Sequence, residues 1–525
     1  MPTPRLSLLA LLCFVACQVL SAADLKLPAL FSDHMVLQRD KAVAVWGWAD
    51  ADEEITVEFA GQKKTAKADG TGKWSLRLDP LTASAESRKL TATGKDGRKA
   101  EVSDVLVGDV WLGSGQSNMA MTVNRSKDFE KEQPAATFPL IRHFKEESAG
   151  NAKAQTQAKG TWLACTPENV GGFSATLYFF GREIQREVGV PVGLINTSVG
   201  GTPIESWVAP EAQEARPALK AALDAQDAAS PKIDLEKAKA DYAAELKKFK
   251  AAKAKAAAEG KKAPRPPRNV ALAAERKGTY GGLFNGKVAP LVPFTLKGML
   301  WYQGEANSSD VRAPLYAEQL STLVTDWRAR WGEELPFAWA QLPNFSRPGE
   351  GWPLMREAML KTLVLPKTGM AVTIDIGEAK DIHPKNKQEV GRRLALWALG
   401  TVYGKKVAAT SGPLPVGHEV KGAEIIVTLS HAEGLKTRDG GPVKAFQLAG
   451  ADKQWKPAVA KIDGTKIIVS SPEVAAPVAL RYAWLDLPET NLVNAADLPA
   501  SPFRTDDWAP LPVPAPAAKG KAKAK

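Results

Sequence analysis

Between residue 108 and about 400, short apolar runs that read as β-strands alternate with stretches that read as helices. This alternation restricts the fold more than any other feature of the chain. Candidate strands lie at 105–112, 192–196, 295–302, 337–342 and 370–375, and candidate helices at 177–188, 316–330 and 387–399. Parallel strands need long crossovers, and helices supply them. The pattern therefore predicts an α/β unit with a parallel sheet covered by helices. In such units the chemistry sits on loops beyond the carboxyl ends of the strands.

On both sides the patterning turns to β alone. Residues 42–48 and 54–59 carry β-formers, and Asp69-Gly70 and Asp96-Gly97 mark turns. Residues 423–429 and 466–469 repeat that style near the other end. The expected organisation is an N-terminal β domain over 24–107, an α/β core over 108–404 and a C-terminal β domain over 405–508, both flanks sandwich-like. A chain of 525 residues accommodates about three domains of roughly 150 residues.

Residues 1–23 read as a secretory signal peptide. Arg5 precedes an apolar run from Leu6 to Leu20, and Ser21-Ala22-Ala23 offers a cleavage site. The chain is expected to be exported, periplasmic or extracellular. Lipoprotein anchoring at Cys17 is not expected, because Phe14-Val15-Ala16-Cys17 is a poor site for it. No later run has the roughly 18 apolar residues a membrane helix needs. Removal of the signal leaves Cys165 as the one cysteine, so no internal disulfide is expected.

The formal charge of +11 is localised. Residues 231–268 hold twelve Lys/Arg against five Asp/Glu, and the tail adds Lys519, Lys521, Lys523 and Lys525. These two segments account for the whole excess, so the body is balanced and no nucleic-acid partner is expected. The segment 211–268 is Ala/Lys/Glu-rich, and Leu235, Tyr242, Leu246 and Phe249 form a narrow helical seam. It reads as a helical hairpin insertion. A solvated helix accounts for it, and an arm for a protein or surface contact is the alternative. Residues 509–525 are a Pro/Ala/Lys tail expected to be disordered.

Four strand ends carry candidate chemistry. Gly113-Ser114-Gly115-Gln116-Ser117-Asn118-Met119 follows the first, and a serine there can expose its hydroxyl near backbone N–H groups. A serine nucleophile needs a base. His34, His143, His418 and His431 lie in β settings, whereas His383 sits in a loop ahead of Pro384 and a helix. Asp381 lies two residues upstream and would point the same way in an extended loop. Gly200 and Gly201 follow the second strand and offer an N–H to an oxyanion. Gln303, after the third, offers a side-chain amide. No metal-ligand spacing and no phosphate-cradling loop are visible, and no cofactor is expected.

The segments Gly115-Gln116-Ser117-Asn118, Gly200-Gly201-Thr202-Pro203-Ile204-Glu205-Ser206-Trp207, Trp301-Tyr302-Gln303-Gly304-Glu305 and Asp381-Ile382-His383-Pro384 resemble the sialate O-acetylesterase family of SGNH/GDSL hydrolases. The likeness extends to 31–38 and 502–506. It implies a flavodoxin-like SGNH core, Ser117 as nucleophile, His383 as base, and an oxyanion hole from Ser117, Gly200 or Gly201, and Gln303. It implies acetyl-ester hydrolysis on O-acetylated sialic acid or on plant polysaccharides such as xylan and xyloglucan. The usual Asp-x-x-His is here Asp381-x-His383, which leaves a Ser-His-Asp triad and a Ser-His dyad both open. Gln116 and Glu305 are substrate-binding candidates. Trp207, Trp301 and Trp352 are candidate sugar-stacking residues, and Arg356 and Arg142 candidate carboxylate clamps. The alternative function is a catalytically inactive glycan-binding or surface-attachment protein.

Overall fold

The computed structural model describes residues 24–229, 234–259, 263–267 and 280–509. The signal peptide, most of the tail and parts of the insertion expected from sequence fall outside these residues. The N-terminal strands are Val36–Gln38 (β1), Val43–Trp48 (β2), Glu54–Phe59 (β3), Gln62–Lys67 (β4), Lys73–Leu78 (β5), Ser84–Thr93 (β6) and Lys99–Gly115 (β7). Then come Phe138–Lys145 (β8), Trp162–Cys165 (β9), Val192–Ser198 (β10), Gly298–Tyr302 (β11), Phe337–Ala340 (β12) and Thr368–Ala371 (β13).

The 17-residue β7 joins two regions. Its first part alternates, with Lys99, Glu101 and Ser103 exposed, and pairs antiparallel with β6. From Val105 to Gly115 every residue is buried, as a strand covered on both faces requires. The boundary expected at 107/108 thus falls inside one continuous strand.

The central sheet runs β13-β12-β11-β7-β10-β8-β9. Its pairs are parallel except β8 with β9. Successive strands are added to opposite sides of β7, so the sheet has its topological switch point at β7. In sheets of this kind ligands bind beyond the carboxyl ends of the strands at such a point, here the ends of β10, β7 and β11.

The main helices are Ser117–Ala120 (α1), Ala175–Val188 (α2), Pro217–Ala229 (α3), Leu235–Ala258 (α4), Tyr316–Trp331 (α5), Gly351–Lys361 (α6) and Lys387–Trp397 (α7). Ser174 Oγ caps α2 by accepting from Leu177 N, and Asn386 Oδ1 caps α7 by accepting from Glu389 N. On one sheet face Trp111, Leu194 and Leu300 pack with Phe180, Leu394 and Trp397 of α2 and α7. On the other, Met299, Trp301 and Trp339 pack with Trp327 and Trp352 of α5 and α6. Burying a large apolar side chain in this way contributes roughly 1.5–3 kcal/mol.

Beyond α7 the chain forms a four-stranded antiparallel sheet from Leu414–Lys421, Glu424–Ser430, Lys466–Ser470 and Val459–Asp463, and a second sheet around Phe446–Ala449 and Ala479–Tyr482. Arg504 holds this region to Glu357 on α6 with bonds of 2.9 and 3.1 Å. The stretch expected to be an insertion from residue 211 starts inside the body. Gln213 is buried and donates to Glu205 O and Val208 O, and Leu219 and Leu223 of α3 are buried. By contrast α4 buries no residue, and Tyr242, Leu246 and Phe249 are only half-covered. No helix among the described residues is long and apolar enough to cross a membrane.

Candidate active site

The end of β7 is built for close approach. Gly115 has φ +134°, and a Cβ there would lie 2.1 Å from the Tyr302 carbonyl oxygen. A side chain would push β7 away from β11. Gln116 N donates to Tyr302 O at 2.9 Å, and Val199 N donates to Gly115 O at 3.0 Å. These bonds bring the ends of β11, β7 and β10 together. Ser117 opens α1 at this junction, half-buried, with its Oγ 2.8 Å from His383 Nε2. That is hydrogen-bonding distance between a hydroxyl and an imidazole nitrogen.

His383 lies between β13 and α7. Asp381 Oδ1 accepts the His383 backbone N–H at 2.9 Å and lies 3.5 Å from Nδ1. The carboxylate therefore shapes the loop first and approaches the ring second. Gly200 borders the serine, since a Cβ on it would sit 3.4 Å from Ser117 Cβ. Gly201, next to it, has φ +71°. Among the described residues the Ser117 and Gly200 N–H groups have no protein acceptor. Both belong to the residues that meet at the serine.

Several expected contributors stand elsewhere. The Gln303 amide nitrogen donates to Thr202 O and Asn307 Oδ1, and its oxygen accepts from Tyr316 Oη at 2.7 Å. Both amide protons are used, so Gln303 is not a free oxyanion donor. It holds the Gly200–Thr202 turn from beneath. Gln116 is buried and accepts from Ala306 N. Glu305 is buried and accepts from Asn118 Nδ2. Both are engaged with the protein's own groups.

The aromatic and basic candidates are buried in the protein as well. Trp207, Trp301 and Trp352 are at most 1% exposed, and their indole N–H groups donate to Thr202, Tyr316 and the Pro343 carbonyl. They pack the core, where no sugar can stack on them. Arg356 is fully buried and donates to the carbonyls of Leu342, Pro343, Leu485 and Asp486. It fastens the C-terminal region to the core. Arg142 is paired with Asp104 at 2.6 Å. His143 is buried, stacked on Phe173 at 4.6 Å, and accepts from Ser174 N; burial pushes it down to about 3. Burial pushes the Cys165 thiol up to about 12, which keeps it protonated.

Two residues that sequence reasoning missed complete the site. Asn118 follows the serine and is buried. Lys387, the first residue of α7, is also buried and donates to Asn118 Oδ1 at 2.6 Å. Burial pushes Lys387 down to about 7 against the opposing pull of Glu305, and burial pushes Glu305 above the usual carboxylate range. A signal was present: a lysine opening a helix opposes the helix dipole and needs a reason.

Comparison with known proteins gives the family of the chain. Residues 107–240 and 276–399 match the family described as carbohydrate esterase, sialic acid-specific acetylesterase. The crystal structure of a carbohydrate acetylesterase from Xanthomonas citri is 37% identical, with a TM-score of 0.78 over 92% of this chain and 100% of that one. The sialate O-acetylesterase of Mus musculus is 28% identical over 87% of this chain and 88% of its own length. The human protein of that name is 27% identical over 90% and 91%. The chain belongs to the sialate O-acetylesterase family of carbohydrate esterases and is a carboxylic ester hydrolase.

Proposed function

We propose that this protein is a serine esterase that removes acetyl groups from sugar hydroxyls through an acetyl-enzyme on Ser117. The observation that carries this reading is the 2.8 Å approach of Ser117 Oγ to His383 Nε2 at the switch point of the sheet. His383 takes the hydroxyl proton as Oγ attacks the acetyl carbonyl. The N–H groups of Ser117 and Gly200 receive the oxyanion, each donor contributing roughly 3–4 kcal/mol. The intermediate collapses as the imidazolium returns its proton to the departing sugar oxygen. Water, deprotonated by His383, then attacks the acetyl carbonyl; acetate leaves and Ser117 regains its proton. Asp381 is the candidate acid that favours the imidazolium, acting across 3.5 Å.

The strand order around β7 supports reading the core as an SGNH hydrolase of flavodoxin-like type. Residues 1–23 support export to the periplasm or beyond. The substrates are taken to be acetylated glycans, in keeping with the names of the mouse, human and Xanthomonas citri relatives. Acetate release from O-acetylated sialic acid, acetylated xylan and acetylated xyloglucan, each with wild type and Ser117→Ala, tests the reading. Serine-dependent release from at least one glycan is expected. Release that persists undiminished in Ser117→Ala contradicts it.

A further inference from the structure

The backs of the serine and histidine loops meet at one buried amide. Asn118 Nδ2 donates to the Ile382 carbonyl at 3.0 Å and to Glu305 Oε1, while Asn118 Oδ1 accepts from Lys387 Nζ at 2.6 Å. Asn118 is the residue after the nucleophile, and Ile382 is the residue before the base. The 118–382 bond and the 2.8 Å contact between Ser117 and His383 therefore close one small ring. Lys387, four residues beyond His383, pins the other end of the histidine loop to the same side chain.

We propose that Asn118 is a positioning residue for the esterase reaction: its amide locks the serine turn to the histidine loop, and the buried pair of Glu305 and Lys387 dictates which way that amide faces. The inference rests on Ser117 and His383 being the reacting pair.

The three partners leave the amide one orientation. Turned over, Nδ2 would face the lysine, a donor, and Oδ1 would face a carboxylate and a carbonyl, both acceptors. Three favourable contacts would become three repulsive ones. Stability alone is a weak reason for such an arrangement, because buried charged groups often contribute no more than apolar substitutes. The gain lies in geometry. A nucleophile displaced by about 1 Å loses roughly a hundredfold in rate. The charged groups around Lys387 are Glu305, Glu378 and Asp381, with the Tyr302 ring 5.1 Å away. No other residue is described as joining the serine turn directly to the Ile382 carbonyl.

The test uses Asn118→Asp and the double variant Asn118→Asp with Glu305→Gln. Asn118→Asp keeps the size and the Lys387 contact but removes the donor to Ile382. The double variant restores a hydrogen bond between positions 118 and 305 with its polarity reversed and the net charge unchanged, yet still offers Ile382 no donor. The readouts are kcat and KM with an aryl acetate, the melting temperature, and the rate at which a fluorophosphonate labels Ser117. For Asn118→Asp, kcat and labelling should fall about a hundredfold with KM within about threefold. In the double variant the melting temperature should recover while kcat stays low. If the single variant fails to fold, the double variant is read alone against wild type. Recovery of kcat together with melting temperature, or a single variant within about threefold of wild type, overturns the inference. An active, labelled wild type with unaffected variants overturns it alone; a wild type that neither hydrolyses the ester nor takes the label overturns the serine-esterase reading as well.

Discussion

The strand-end loops behind Ser117 and the helix α4 are both rich in polar and charged residues, and they behave in opposite ways. On α4 the charges are solvated, as in the Lys237–Asp241 pair at 2.8 Å, more than half exposed on both sides. Such pairs are worth at most about 1 kcal/mol. Behind Ser117, Asn118, Gln303, Asn307, Glu305 and Lys387 are buried, and the named side chains are bonded to one another or to strand-end backbone. Density of charge therefore says little about function here. Enclosure with fixed partners marks the region where geometry matters.

This contrast predicts a gradient of mutational effects. His383→Ala should lower kcat by at least about a thousandfold with little loss of fold, since the ring is half-buried in a loop. Asp381→Asn, measured beside it, should cost more than about tenfold in kcat with KM nearly unchanged. A loss within tenfold would leave a dyad, with Asp381 serving only the His383 backbone N–H.

Gln303→Ala should cost about tenfold in kcat, less than loss of a direct oxyanion donor, because it acts through the Gly200–Thr202 turn. It should also lower the melting temperature, as it leaves Thr202 O, Asn307 Oδ1 and Tyr316 Oη short of a buried partner, at roughly 1–3 kcal/mol for each unsatisfied group. Unchanged melting with a kcat loss of a hundredfold or more would return Gln303 to the oxyanion hole.

His143 tests the enclosed region through pH. Its folded value of about 3 lies below the ordinary 6.5, so the unfolded chain binds more protons between those values. The stability it supplies is complete above about 6.5 and is lost as pH falls toward 3. His143→Gln, which keeps an acceptor for Ser174 N, should flatten the fall of melting temperature over that window. An equally steep fall would place the acid sensitivity elsewhere.

The smallest effect belongs to the insertion. Replacing residues 231–267 by a short linker should leave aryl-acetate turnover within about threefold. A cut begun at 212 should destabilise the protein, because it removes Gln213, Leu219 and Leu223 from the body. The span missing from the family match, 241–275, overlaps the dispensable part. A large loss of turnover in a folded 231–267 variant would show that the insertion shapes the site.

Much of this was legible in the chain. The strand–helix alternation gave the order of β10 to β13 with α2, α5 and α7, because parallel strands and amphipathic helices have distinct periods. Ser117 and His383 were visible as polar residues at strand ends. Strand β8 showed only as the β setting of His143, and strand β9 and helix α6 were not visible, since short apolar segments carry no decisive period. The roles of Trp207, Trp301 and Trp352 were misread because an aromatic residue near a motif looks the same whether it faces a sugar or a core. Gln303 was misread for a related reason: sequence shows an amide but not that Thr202, Asn307 and Tyr316 already occupy it. Long-range pairing, as between Asn118 and Lys387, leaves only indirect marks such as a lysine at the start of a helix.

Hydrolysis by this route requires Ser117 to carry the acetyl group. Rapid acid quenching during turnover of an aryl acetate, followed by peptide mass analysis, should find one acetyl group on the peptide containing Ser117 in wild type and none in Ser117→Ala. The variant should lose at least about a thousandfold in acetate release. An unmodified Ser117 in the quenched wild type, together with near-normal release by Ser117→Ala, would contradict it.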